Sequence, residues 1–148
     1  MKPLIVLILG FAVSLLVIYL FDHNWHYIWA GNIGMSAMLL FTAVGHFVFI
    51  NGMAKMLPSF LPFKKEIVGV TGFIEIAAAI GLLIPSARYG TAMALIIFFI
   101  LILPANILAA LKNVDYQKGT QDGPGIGYLW FRIPLQIFFI AWVAWFGF

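Results

Sequence analysis

The stretch that decides the fold is residues 89–111, whose sequence is YGTAMALIIFFILILPANILAAL. It contains no charged side chain, and most of its residues are aliphatic or aromatic. A helix that crosses a bilayer needs about 20 predominantly apolar residues. The stretch is therefore predicted to be a membrane-spanning helix.

Four further segments of the same character lie on either side of it, at 3–21, 33–53, 67–84 and 126–148. The connections between the segments are short, so no room remains for a soluble domain. The first segment has no small-residue cleavage pattern before Asp22, so we interpret it as a retained helix and not as a signal peptide. The prediction is an all-α membrane protein with a single domain over 1–148.

The composition supports a lipid environment. Of the 148 residues, 64% are apolar and 9% are charged, whereas soluble domains are about 45–50% apolar and about 25% charged. The chain has no cysteine, which excludes disulfides, thiolate metal sites and thiol redox relays within this polypeptide. The net charge of +3 rests on a few scattered lysines and arginines, so the bilayer is the expected partner and nucleic acid is not.

The basic residues also predict the orientation of the chain. With five spans, one side of the membrane carries all six lysines and the other side carries Arg88. The side with the N-terminus holds Lys2, Lys55, Lys64, Lys65, Lys112 and Lys118. Because cytoplasmic loops are enriched in Lys and Arg, the N-terminus is predicted to be cytoplasmic and the C-terminus to lie outside.

Polar residues inside the predicted spans are the candidate functional residues, because such groups are costly in hydrocarbon and are usually functional. With a rise of 1.5 Å per residue, they lie roughly 8 to 14 Å from the cytoplasmic ends of their helices. Four spans thus place polar groups in one layer. The predicted ligand-binding or polar cluster consists of His46, Glu75, Asn106, Arg132 and Gln136.

Two interpretations of this cluster stay open. Glu75 and Arg132 can form a buried ion pair that fixes how two helices dock, or they can bind or protonate a polar head group. Pro104 and Pro134 are expected to free backbone carbonyls nearby, unless the last helix begins near Ile133. No metal or haem is expected, since no second histidine shares the depth of His46.

From Gly45 to Trp145 the chain resembles the DoxX-like family of small bacterial membrane proteins. The resemblance is carried by the order and spacing of short motifs, namely Gly45-His46-Phe47, Leu57 to Pro62, Thr71 to Glu75, Gly81 to Pro85, Arg88, Leu103 to Asn106, Arg132 to Gln136 and Ala141-Trp142. It implies a four-helix membrane unit to which segment 3–21 is an added N-terminal helix. It also implies the bacterial cytoplasmic (inner) membrane as the location.

The same resemblance suggests a function without transferring a reaction. Members of that family are linked to quinone oxidoreductases and redox-defence assemblies, so the first hypothesis is an accessory or quinone-interacting subunit of a respiratory or redox system. Its expected partners are a membrane redox subunit or further copies of the chain. The alternatives are a non-catalytic structural or assembly subunit and a small-solute or proton-coupled transporter.

Overall fold

The computed structural model describes residues 2–148, which form helices, turns and loops with no strand. The helices are α1 (Lys2–Asp22), α2 (Tyr27–Val48), α3 (Ile50–Ala54), α4 (Lys64–Leu83), α5 (Pro85–Leu111) and α6 (Leu129–Gly147), with a 3₁₀ turn at Ile126–Tyr128 before α6. Five helical segments are long and apolar enough to cross a membrane. The predicted all-α architecture is confirmed, and it fits a multi-pass membrane protein.

The second predicted span, 33–53, has the wrong limits. Helix α2 begins at Tyr27, six residues before the predicted limit, and it ends at Val48. Near its start Asn32 is buried and donates a hydrogen bond of 2.7 Å to the carbonyl of Phe146. At Phe49 the backbone leaves helical geometry, and the short helix α3 follows.

The last two helices differ in detail from the predicted segments. Ile84 is extended and Pro85 opens α5, as expected for a proline in the first turn of a helix. Helix α6 begins at Leu129, so Pro134 lies inside it and Arg132 belongs to the helix. The alternative in which the last helix begins near Ile133 is therefore wrong.

Helices α2, α4, α5 and α6 form a ring in which each packs on its two neighbours, and α1 packs on the outside against α2. The contact between α1 and α2 is close, since a Cβ at Gly34 would lie 2.9 Å from the carbonyl oxygen of Leu7. Phe11 of α1 also makes an edge contact with Trp142 of α6, with ring centroids 5.2 Å apart. The most deeply buried core side chains include Leu7, Met35, Met38, Leu39, Leu82, Leu95 and Val143.

The bundle has two ends, which we call the Ile84 end and the α3 end after the residue and the helix found there. At the α3 end the loop 112–125 folds over the bundle. Gly52 of α3 lies directly under the carbonyl of Tyr116, where no Cβ would fit. Lys55 donates a hydrogen bond to the carbonyl of Gly119, and the amide of Asp115 donates to the carbonyl of Thr120 at 2.9 Å. The loop is thus an ordered cover.

Candidate functional site

A large cavity of about 710 Å³ lies between the helices in the half of the bundle next to α3. Its walls come from α1, α2, α4, α5 and α6 and are mostly apolar. All five residues of the predicted polar cluster line it, namely His46, Glu75, Asn106, Arg132 and Gln136. Residues that are far apart in the sequence therefore share one chamber.

One side of the cavity carries His46 and Glu75. A Cβ at Gly72 would lie 3.0 Å from the Cβ of His46, so this glycine lets α2 and α4 approach closely. As a result His46 reaches the α4 backbone, with Nδ1 3.2 Å from the carbonyl oxygen of Val68 and 2.9 Å from Oγ1 of Thr71. Its Nε2 points to Glu75 and lies 3.5 Å from Oε2.

These contacts show that Nδ1 of His46 carries a hydrogen. The Thr71 hydroxyl donates its own hydrogen to the carbonyl of Val68 at 2.7 Å, so its oxygen accepts from His46. Both neighbours of Nδ1 are then acceptors, which makes Nδ1 a donor. Nε2 of His46 and Oε2 of Glu75 face each other at 3.5 Å without a hydrogen bond between them.

The opposite side of the cavity carries Arg132 and Asn106. A terminal nitrogen of Arg132 donates to Oδ1 of Asn106 at 2.9 Å. Within residues 2–148, Glu75 and Arg132 do not form the ion pair suggested by their depth. The reason is that α4 and α6 are diagonal in the ring of helices, so the cavity separates the two charges.

Two buried polar atoms in this site have no hydrogen-bond partner among the described residues. They are Oε2 of Glu75 and Nδ2 of Asn106, in side chains that are 4% and 7% exposed. An unpaired polar group in an apolar interior costs about 1 to 3 kcal/mol. The cavity therefore offers an acceptor on one side and N–H donors, from Asn106 and Arg132, on the other.

Gln136 has a structural contact in addition to its place on the cavity wall. Its Nε2 donates to the carbonyl of Phe99 in α5 at 2.7 Å. This carbonyl is one residue before that of Ile100, which has no helical donor because Pro104 lacks an N–H. The hydrogen bond therefore links α5 to α6 close to the point where the proline interrupts the backbone hydrogen bonds of α5.

Sequence reasoning missed one charged residue of the cavity wall and two buried polar residues outside the cavity. Lys2 lines the cavity, although its charge was read only as a signal of orientation. Asn32 and Ser36 are buried and hold helices together, with Ser36 donating to the carbonyl of Ala79 at 2.8 Å. Asn32 and Ser36 are four residues apart and so share one face of α2, and this spacing could have indicated a polar contact with a neighbouring helix. His26 lies apart at the Ile84 end, paired with Asp22 at 2.5 Å.

A second, smaller cavity of about 260 Å³ lies beneath the loop 112–125. It shares Asn106 and Arg132 with the large cavity, and its other walls include Tyr116 and Pro124. The Arg132–Asn106 pair therefore stands between the large cavity and the covering loop.

A family model described as "Domain of unknown function (DUF8561)" matches residues 35–147, and the chain belongs to this family. No curated protein and no solved structure matches the chain. The matched segment contains all five polar cavity residues and begins after α1.

Proposed function

We propose that this member of the DUF8561 family is an integral membrane protein that binds the polar head group of a membrane-dissolved small molecule in the large cavity. A quinone-like ring is the ligand we favour, which makes the protein an accessory or quinone-interacting subunit of a respiratory or redox system. Location in the bacterial cytoplasmic membrane, with the N-terminus on the cytoplasmic side, is part of the same proposal.

The observation that carries this proposal is the pair of buried, unpartnered atoms, Glu75 Oε2 and Asn106 Nδ2, in one cavity. Most buried polar atoms in protein structures have a hydrogen-bond partner. A ring with a hydroxyl on each side, as in a quinol, would satisfy both, because one hydroxyl donates to Glu75 Oε2 and the oxygen of the other accepts from Asn106 Nδ2. The cavity of about 710 Å³ is within the usual range for ligand sites. The residues present therefore fit a quinone-like group.

The roles of the side chains follow from their donors and acceptors. Arg132 and Asn106 donate hydrogen bonds to a carbonyl or anionic oxygen. Glu75 accepts from a hydroxyl on the other side, and His46 takes or returns a proton through Nε2, since its Nδ1–H is held by Thr71. When bound, a quinone supplies oxygens that gain protons on reduction. Gln136 holds the wall in place through Phe99.

Binding of ubiquinone and menaquinone analogues to purified protein in nanodiscs tests the proposal. Glu75→Gln together with Arg132→Gln is expected to weaken binding by about tenfold or more, because each charged hydrogen bond contributes about 1.5 to 3 kcal/mol. The matched control is Glu66→Gln with Lys112→Gln, which removes one acid and one base at residues that do not line the large cavity. Equal binding by both double variants would refute the proposed site.

A second candidate is a structural or assembly subunit without a ligand of its own. It is favoured by the hydrogen bonds that cross between helices in the same layer, from Gln136 to Phe99 and from Arg132 to Asn106. This alternative predicts a stoichiometric protein partner on purification. It also predicts no saturable binding of either quinone analogue to the wild-type protein.

A further inference from the structure

The large cavity continues to the lipid-facing surface of the bundle. Three residues of α2 that line it, Phe41, Val44 and Val48, are 43%, 60% and 64% exposed. A wall residue with this much exposed surface belongs to the rim of an opening. The polar atoms of Glu75, Asn106 and Gln136 lie at the other extreme, since these side chains are all buried.

The opening lies between α2 and α6. At the Ile84 end the two helices touch, with Nε1 of Trp142 donating to the carbonyl of Gly31 at 3.0 Å. Further along, Thr42 of α2 and Leu135 of α6 both face the cavity, so the helices are separated by it. The gap between α2 and α6 thus widens toward the α3 end.

Helix α1 covers this gap only in part. Ser14 of α1 donates to the carbonyl of Ala30 in α2, and the two helices run antiparallel. Counting back from Ser14 to Lys2 brings the start of α1 beside Thr42, and α2 continues to Val48, about 9 Å further at 1.5 Å per residue. Lys2 and Pro3 accordingly line the cavity and form one edge of the opening.

The loop 112–125 covers the cavity on the side that faces water. The loop 112–125 lies across the α3 end, with Tyr116 packed on Gly52 and with its ring 6.0 Å from that of Phe49. Tyr116 and Gln117 of this loop form part of the cavity wall. A ligand dissolved in water meets an ordered loop, whereas a ligand dissolved in lipid meets an opening whose rim on α2 is apolar and whose edge on α1 carries Lys2.

From this arrangement we infer that the site takes a ligand that bears a hydrocarbon chain and that passes head-first from the bilayer through the gap between α2 and α6. The head group reaches the buried polar residues, and the chain lies along Phe41 and Thr42 at the opening. The inference deepens the proposed function and rests on it for the nature of the head group. The route itself depends only on the shape of the cavity.

Thiol labelling can test this route without background reaction, because the chain has no cysteine of its own. Leu135→Cys places a thiol on the cavity wall, and the protein is reconstituted in phosphatidylcholine vesicles. Two reagents are compared, N-dodecylmaleimide dissolved in the lipid and a charged methanethiosulfonate dissolved in water. We expect the lipid-borne reagent to label the thiol and the charged reagent to be slower by roughly tenfold or more, after each rate is scaled to the same reagent on free cysteine.

A blocking variant sharpens the result. Gly45 lines the cavity, and a Cβ there would meet only Met53 at 3.8 Å and Phe49 at 4.0 Å, so Gly45→Phe fits the helix and projects toward the opening. It is expected to slow labelling by the dodecyl reagent by about tenfold. Gly90→Phe is the control, because Gly90 has no neighbour within 4 Å and does not line the cavity.

The outcomes separate the route from the function. Labelling by the charged reagent at the same scaled rate, or a Gly45→Phe variant that labels as fast as the control, would overturn the lateral route. Since the assay needs no native ligand, a lateral route can be found even if the quinone analogues fail to bind. Conversely, binding that survives Gly45→Phe while Glu75→Gln with Arg132→Gln abolishes it would keep the site and reject the route.

Discussion

The two halves of the bundle differ in what their polar residues do. Toward the Ile84 end, Asn32 and Ser36 donate to backbone carbonyls of neighbouring helices, and glycines allow close contact, as at Gly31 against the ring of Phe146. Toward the α3 end the helices surround a cavity, and Glu75 Oε2 and Asn106 Nδ2 have no hydrogen-bond partner among residues 2–148. In the first half polar side chains hold helices together, and in the second half some polar atoms remain free to bind a ligand.

This difference teaches how to distinguish structural from functional polar residues in a small membrane bundle. Burial alone does not separate them, since Asn32 and Glu75 are both almost fully buried. Hydrogen bonding does separate these two residues, since Nδ2 of Asn32 donates to the carbonyls of Ile28 and Phe146, whereas Oε2 of Glu75 has no hydrogen-bond partner among residues 2–148. Substitutions in the packed half should lower stability, and substitutions in the open half should change binding with little effect on stability.

The largest effect is expected at the contact between α1 and α2. Gly34→Leu places a side chain against the carbonyl of Leu7 and the amide of Phe11, both backbone atoms that cannot turn aside. Overpacking of this kind should lower the free energy of unfolding by about 3 kcal/mol, measured by denaturation in mixed micelles. Gly90→Leu is the matched control and should leave it unchanged, because Gly90 has open space around it.

A smaller loss is expected when a satisfied polar residue of the packed half is removed. Asn32→Ala deletes the hydrogen bonds to Ile28 and Phe146 and leaves the Phe146 carbonyl without this donor. Unfolding free energy should fall by about 2 kcal/mol. An unchanged value would show that the packed half does not depend on its polar contacts, and the comparison of the two halves would fail.

Glu75→Gln should alter the same quantity by less than about 1 kcal/mol, since it keeps the shape of the side chain and changes an oxygen, Oε2, that has no hydrogen-bond partner among residues 2–148. The variant should nevertheless bind the quinone analogues more weakly than the wild type. A loss of stability as large as that of Asn32→Ala would instead assign Glu75 to packing and support the assembly-subunit alternative.

The smallest effect is expected in the loop 112–125. A hydrogen bond from the Thr120 hydroxyl holds the pKa of the Asp122 carboxyl below its ordinary value. The lowered pKa favours the folded state above the ordinary pKa, and this contribution is lost as the pH falls through the folded-state value. Thr120→Ala should raise the pKa of Asp122, read from its carboxyl resonance in an NMR titration. Both side chains are exposed, so the accompanying loss of stability near neutral pH should be small.

Depth along the helices was enough to predict which polar residues come together. Antiparallel spans with a fixed rise per residue place His46, Glu75, Asn106 and Arg132 at similar heights, and all of them line one cavity. Height does not say which helices are neighbours. An ion pair between Glu75 and Arg132 was one of the two interpretations that the sequence left open. Among residues 2–148 this pair is not formed, because α4 packs against α2 and α5, and α6 lies on the opposite side of the cavity.

Other features depend on contacts that are remote in the chain. Near the start of α2, Asn32 bonds to Phe146, 114 positions away, and local hydropathy carries no trace of that bond. The same holds for the loop 112–125, because the fit of Tyr116 over Gly52 is a tertiary contact between separate elements.

The place of α1 has a consequence for the opening between α2 and α6. Lys2 and Pro3 of this helix line the cavity at one edge of the opening, while the predicted polar cluster belongs to the other helices. A shift of α1 along α2 by one helical turn would move this edge by about 5.4 Å. The size of the opening to lipid is therefore set by a helix that carries none of the five residues of the polar cluster.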